Sequence, residues 1–303
     1  MPNTSDHLVD LTDSHPHEGL AADLQRARML SRRGALGMFG VGATGVLVAA
    51  CGGDGVLSSS SGDSTTSGST TGDTGTPTST GSGSSASCTA YASETNGPYP
   101  ADGTNQSSGT YSNVVTVSAF QRADIRSSIG GGNTAAGTRM DFTITLVDVN
   151  DNCAPLADYV IYVWHCNASG QYSLYDLPSE NFLRGLQTTD TNGQVTFTTI
   201  VPGTYNGRYP HIHFEVYSSI SNASNGRTAR LVSQFALPKD ALASLYTADP
   251  TYTGSIAALN NASLARDNVF GDNTAAQQEA MMLEMSGNAG VGYTATATVG
   301  IAT

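Results

Sequence analysis

D-F-T-I-T-L-V, residues 141 to 147, alternates apolar and polar side chains with a period of two. Phe142, Ile144 and Leu146 fall on one side, Asp141, Thr143 and Thr145 on the other, the pattern of a strand with one buried face. Y-V-I-Y-V-W (159–164) is apolar on both sides and reads as a central core strand. V-T-F-T-T-I (195–200) follows D-T-N-G (190–193), where Asn-Gly favours a tight hairpin. H-I-H-F-E-V-Y (211–217), S-Q-F-A-L (233–237) and Y-T-A-T-A-T-V-G-I (293–301) complete the set. Short strands separated by turn residues every ten or so positions predict an all-β fold, a β-sandwich of mainly antiparallel strands. One helix is expected over residues 239–246, after Pro238. A-A-Q-Q-E-A-M-M-L-E-M (275–285) has high helix propensity but lies near a good strand, and is expected to be a strand itself.

Outward from this region the chain of 303 residues changes character. Residues 1–30 are polar and hold His7, His15 and His17. Ser31-Arg32-Arg33-Gly34, an apolar run from Ala35 to Ala50 and Cys51 then read as an export signal. The run is too short, and too rich in Gly and Ala, for a comfortable membrane span, and the arginine pair points to the twin-arginine route. V-A-A-C (48–51) followed by Gly52-Gly53 resembles a bacterial lipoprotein box, so Cys51 is expected to carry a lipid anchor outside the cytoplasmic membrane. The other reading is an ordinary signal with an incidental cysteine. Residues 52–87 are almost all Gly, Ser, Thr and Asp, a composition that cannot offset the entropy of ordering it, and are expected to be a tether. The expected organisation is therefore signal (1–51), tether (52–87) and one folded domain (88–303).

With Cys51 lipidated, Cys88, Cys153 and Cys166 remain in an oxidising compartment. Cys88 opens the domain and Cys153 falls in a loop, so a Cys88–Cys153 bridge is expected, leaving Cys166 as a buried thiol. No C-x-x-C occurs, which argues against a zinc ribbon or a thioredoxin-type site. A net charge of −12, with one lysine against 25 acidic residues, argues against nucleic acid as a partner.

R-Y-P-H-I-H-F-E-V-Y (208–217) carries the chemistry. On a strand His211 and His213 project to one face, and Ile212, Phe214 and Val216 to the other. Two imidazoles on one pleat suit a metal ion; the plain alternative is two polar residues on a solvated face. Further ligands come in two kinds. Glu215 continues the same face and would complete a ferrous two-histidine, one-carboxylate site. Tyr172 in G-Q-Y-S and Tyr205 in P-G-T-Y-N-G would instead supply phenols, although a single tyrosine is ordinarily a packing residue.

W-H-C-N-A-S-G-Q-Y-S-L-Y (164–175), F-L-R-G-L-Q-T-T-D-T-N-G-Q-V-T-F-T-T-I-V-P-G-T-Y (182–205), G-R-Y-P-H-I-H-F (207–214) and E-T-N-G-P-Y-P (94–100) together resemble the intradiol ring-cleavage dioxygenases. These are the catechol and protocatechuate enzymes with non-haem ferric iron, and the resemblance covers most of residues 88–303. It implies a β-sandwich with the metal site at the sheet edge and loops, iron ligands at Tyr172, Tyr205, His211 and His213, and a substrate-orienting Arg208. It further implies a partner glutamine at Gln234, pocket residues Pro98 and Tyr99, and structural roles for Trp164 and Arg184. The implied partners are a small aromatic diol and O2. The diol displaces Tyr205, which takes up a proton, and the product is a cis,cis-muconate-type diacid.

The donor chemistry agrees with this. Phenols ionise near pH 10, so two tyrosinates call for a hard, strongly Lewis-acidic ion, and Fe(III) fits better than zinc or copper. The long helical dimerisation region of the catechol enzymes has no counterpart here, so their dimer is not implied. Two other readings compete: the ferrous enzyme using Glu215, and a non-catalytic cell-surface β-sandwich that binds a partner. Retention of all four donors and Arg208 weighs against the latter.

Overall fold

Nine strands and three short helices carry the chain from Arg139 to Ile301. The computed structural model describes residues 88–303, which lie within a single unit, Ser85–Thr303. The expected export signal, the Cys51 lipid box and the tether lie outside the described residues.

The alternation in 141–147 forms β1 (Arg139–Asp148), whose Phe142, Ile144 and Leu146 are buried between half-exposed neighbours. One side of β1 pairs antiparallel with β2 (Ala154–Pro155) and β5 (Gln194–Ile200); the other pairs parallel with β9 (Gly292–Ile301), which pairs antiparallel with β8 (Glu284–Asn288). The second sheet has the order β4 (Arg184–Thr188), β3 (Val160–Trp164), β6 (His211–Tyr217), β7 (Leu231–Ala236), antiparallel throughout. The two sheets pack face to face as a β-sandwich. Phe142 of one meets Phe235 of the other edge to face at 5.1 Å, and Phe214 stacks on Phe235 at 4.2 Å. Burying each phenyl contributes about 1.5–3 kcal/mol.

The D-T-N-G turn forms, with Gly193 N–H donating to the Asp190 carbonyl and the Asp190 carboxylate accepting from Asn192 and Gln194. It does not make the expected hairpin. β4 belongs to the second sheet and β5 to the first, so the turn carries the chain between layers. Gly193 is required there: its φ is +71°, and a Cβ would lie 2.4 Å from the Leu146 carbonyl oxygen.

Residues 239–246 are helical as expected, within α1 (Lys239–Ala248), which is followed by α2 (Ile256–Asn261). The strand expected over 275–285 is corrected: Ala275–Met281 is a helix, α3, and only Glu284 onward is strand. A capping box decides it, with the Thr274 hydroxyl accepting from Gln277 N–H and the Gln277 side chain accepting from Thr274 N–H.

β6 is buried along its whole length, because the second sheet is covered on both faces. Ile212, Phe214 and Val216 enter the core between the sheets. The outer face, with Trp164, Tyr162 and Tyr217, lies under a second cluster that includes Ala101, Val114, Val115, Phe120, Tyr172 and Leu174. Residues 98–120, which form little regular structure, thus roof the face that holds the histidines. Cys88 and Cys153 are disulfide-bonded, with Cα atoms 5.7 Å apart, and Cys166 is a buried free thiol. Closing 65 residues of chain this way stabilises the fold by roughly 4 kcal/mol in the chain-entropy account.

Candidate metal centre

His211 and His213 sit at the start of β6, an internal strand between β3 and β7, and project onto the sheet's outer face. Tyr172 comes from the loop after β3 and Tyr205 from the loop between β5 and β6. The four side chains converge on one point. His211 Nε2 lies 3.1 Å from His213 Nε2, 3.2 Å from Tyr172 Oη and 3.4 Å from Tyr205 Oη, and the two phenol oxygens are 3.5 Å apart. Tyr172 and both histidines are buried, and Tyr205 is half-buried. The donors therefore gather on the outer face near the end of an internal strand and in adjoining loops, not along a lateral edge of the sheet.

Each imidazole is held differently. His211 Nδ1 lies 2.6 Å from the Tyr209 carbonyl and donates to it, which leaves the Nε2 lone pair facing the cluster. His213 Nδ1 has no hydrogen-bond partner among the described residues. Its ring is instead stacked on Trp164 at 4.8 Å and 8°, and Gly97 lies beside its Cε1 edge. Gly97 has φ +70°, and a Cβ there would come within 3.0 Å of His213 Cε1. Packing against Trp164 and Gly97 sets this ring where a hydrogen bond sets the other.

The electrostatics suit a hard cation. Burial, then the charge of Arg208, pushes His211 well below the usual imidazole range; burial, then His211, does the same to His213. Both rings are neutral and offer lone pairs. Burial, reinforced by Tyr205, pushes the Tyr172 phenol well up, and burial raises Tyr205 against the pull of Arg208. Both phenols stay protonated until a cation strong enough to displace the protons arrives, and binding then releases protons. The set fits a hard cation such as ferric iron, which Tyr172, Tyr205, His211 and His213 would hold.

Arg208 is buried beside this set, with Nη1 3.3 Å from His211 Nε2. Its Nη2 donates to Gln234 Oε1 at 2.6 Å, and Gln234 Nε2 donates to the Thr95 carbonyl at 3.1 Å. Gln234 pairs with His213 in the β6–β7 ladder, so it reaches Arg208 from the neighbouring strand. Tyr99 packs on Tyr172 with ring centroids 4.7 Å apart, and Pro98 precedes it in the same half-buried segment. Arg184 ties the roof to the Tyr172 loop. It donates to Ser173 Oγ, the Ser173 carbonyl, the Pro100 carbonyl and Tyr162 Oη.

Glu215 does share the face of the histidines, yet its carboxyl accepts from the Tyr217 hydroxyl and faces Asp102. Burial, reinforced by Asp102, pushes that carboxyl well above the usual range. Among the described residues, no group of three or more His, Cys, Asp or Glu side chains is placed to hold a metal. The two-histidine, one-carboxylate alternative is corrected accordingly: the third and fourth donors beside the histidines are phenols.

Two residues of the site were not read from the sequence. Gly97 lies inside E-T-N-G-P-Y-P, and its role appears only once the segment is seen against His213. Asp267 is buried and paired to Arg208, with Oδ2 3.0 Å from Nε. The available signal was S-L-A-R-D-N-V-F, an Asp placed before apolar residues, where a carboxylate can accept from the backbone N–H groups that follow it.

A two-layer sandwich presenting two phenols and two imidazoles to one point, with an arginine beside them, is an arrangement suited to a metal ion rather than a hydrolytic triad. A family model described as "Dioxygenase" matches residues 108–268, more than half of the chain. The protocatechuate 3,4-dioxygenase beta chain of Burkholderia cepacia is 32% identical over 125 residues, 37% of this chain and 49% of that protein. The match thus spans about half the length of the curated relative. The solved intradiol ring-cleavage dioxygenase from Tetranychus urticae superposes with a TM-score of 0.53 at 21% identity, covering 71% of this chain and 95% of that one, which speaks to the fold. The chain belongs to the intradiol ring-cleavage dioxygenase family, whose members use non-haem iron and act on catechol-type substrates with O2.

Proposed function

We propose that this chain is an exported non-haem Fe(III) intradiol dioxygenase that opens catechol-type rings, adding both atoms of O2 to give cis,cis-muconate-type diacids. The observation that carries the reading is the convergence of Tyr172 Oη, Tyr205 Oη and His213 Nε2 within 3.4 Å of His211 Nε2. Ferric iron held by Tyr172, Tyr205, His211 and His213 would supply Lewis acidity toward an aromatic diol.

The protein's own residues supply the rest. Tyr205 is the half-buried phenol of the pair and sits on a loop, so it is the donor suited to leave the set. Its Oη would accept a proton from a substrate hydroxyl. Tyr172, buried under Tyr99 and fixed by the Arg184 network, stays in place. Arg208 Nη1, facing the donors, stabilises negative charge that develops on the ring. Tyr99 and Pro98 form the apolar wall of the pocket.

Domain organisation and location belong to the same proposal. Residues 88–303 are the catalytic domain, 52–87 its tether, and 1–51 an export signal with a lipid anchor at Cys51. The Cys88–Cys153 bridge supports a compartment outside the reducing cytoplasm.

The reaction is tested by oxygen uptake with the iron-replete full chain on catechol, protocatechuate and hydroxyquinol. At least one diol is expected to consume one O2 per ring and to yield the diacid cleaved between the two hydroxyl carbons. Absence of uptake on all three, or cleavage beside the hydroxyl pair, contradicts the reading.

A further inference from the structure

Arg208 is a charged side chain placed almost wholly out of water, 9% exposed, and its use depends on where its nitrogens point. A guanidinium is planar, so fixing two of its nitrogens fixes the third. Asp267, 59 residues further along the chain, does the fixing. Its Oδ2 accepts from Arg208 Nε at 3.0 Å and from Tyr209 N–H at 2.6 Å. Its Oδ1 accepts from Arg208 Nη2 at 3.4 Å, and from Val269 and Phe270 N–H at 2.9 and 3.2 Å. Five N–H contacts on one carboxylate, itself 1% exposed, leave it no freedom to turn. Nε is thereby occupied, and Nη2 is shared between Asp267 and Gln234. Nη1 is the nitrogen left over, and it is the one directed at the donor cluster.

We propose that Asp267 is the positioning residue of Arg208: it aims Nη1 at the substrate side of the metal centre and balances the guanidinium charge there. Asp267 touches neither the donor atoms nor the substrate position, and it acts only through Arg208. Its hold on Tyr209 N–H also anchors the backbone two residues before His211, so a purely architectural role has to be told apart from an aiming role. Burial would push the Asp267 carboxyl up, but the Arg208 charge and these hydrogen bonds hold it below the usual range, so it is ionised wherever the enzyme works. This inference rests on the reading of Arg208 as the residue that faces the substrate.

The test compares iron-loaded full-length wild type with Asp267→Asn, which keeps the side-chain shape and removes the charge. The expected variant retains its iron and its visible absorption band. Its kcat falls about tenfold to 100-fold, short of or equal to the loss of a whole transition-state donor. KM for the diol moves less than threefold. Unchanged kcat, or activity lost only in proportion to iron lost, overturns the aiming role. Should Asp267→Asn fail to fold, Arg208→Gln is compared with the Arg208→Gln/Asp267→Asn double variant, which presents a neutral pair. Equal activity of the two supports action through Arg208; a further tenfold loss in the double with iron intact overturns it. A wild type that cleaves no diol overturns the dioxygenase reading and this inference together, whereas an active wild type matched by Asp267→Asn overturns this inference alone.

Discussion

A His213→Ala variant is expected to fold and to emerge without iron, without colour and without ring-cleavage activity. The imidazole stacks on the Trp164 indole with Gly97 beside its Cε1 edge, and Nε2 is its single engaged nitrogen among the described residues. Truncation therefore removes one donor of four and breaks no hydrogen bond to the scaffold. Loss of an outer partner of a metal ligand already costs about 10–100-fold in affinity, so loss of the ligand itself costs at least about 100-fold. The cavity left beside the indole lowers stability by about 1–3 kcal/mol, within the ordinary range for one substitution. Iron content after gel filtration, read beside the far-ultraviolet circular dichroism spectrum, measures both effects. Glu215→Gln is the control: its carboxyl faces Asp102, so iron content stays at the wild-type level. Stoichiometric coloured iron in His213→Ala, or iron lost from Glu215→Gln but not from His213→Ala, contradicts the ligand assignment.

Arg208→Met gives the second large effect, and it falls on stability and on rate together. Methionine leaves the Asp267 carboxylate buried with backbone N–H donors but no counter-charge, and leaves Gln234 Oε1 without its guanidinium donor. Breaking a buried pair from one side costs about 3–5 kcal/mol, because the remaining charge stays desolvated. The same change removes the donor beside the cluster, which costs about 100- to 1000-fold in kcat. Denaturant unfolding and steady-state oxygen uptake read the two losses separately. Arg208→Met/Asp267→Asn removes the stranded charge and keeps an oxygen for the backbone N–H groups, so it regains part of the stability and none of the activity. A double variant no more stable than Arg208→Met contradicts the ion-pair account, and wild-type kcat in either contradicts the role of Arg208.

Local periodicity carried much of the fold. β1, β3, β5, β6, β7 and β9 are each visible as alternating or continuous apolar runs, because side-chain direction on a strand has a period of two. Periodicity does not say which sheet a strand joins. The turn at 190–193 was legible, yet β4 and β5 part into different layers, β5 pairing Phe197 with Phe142 of β1 and β4 pairing Leu186 with Tyr162 of β3. At 275–281 a capping box outweighed the nearby strand pattern, and Thr274 followed by Gln277 was the local signal for it.

The site divides in the same way. His211 and His213 share a face through elementary strand geometry, and Tyr172 and Tyr205 entered through motif order. What the sequence could not show is why the rings stay put. Trp164 and Gly97 pack against His213 from segments 67 positions apart in the chain, and Asp267 meets Arg208 through loop packing that has no local period. Residues 98–120 offered no regular pattern, because their role is to cover the outer face of the second sheet rather than to extend it.

Two tyrosines and two histidines of this chain are proposed to hold ferric iron for an incoming diol. The most direct measurement is the visible absorption spectrum of the iron-loaded wild-type protein, recorded before and after anaerobic addition of catechol. Tyrosinate-to-ferric charge transfer is expected to colour the protein reddish, and catechol is expected to shift the band as Tyr205 leaves the set. A colourless protein containing one iron per chain, or a band unmoved by saturating catechol, would contradict the account.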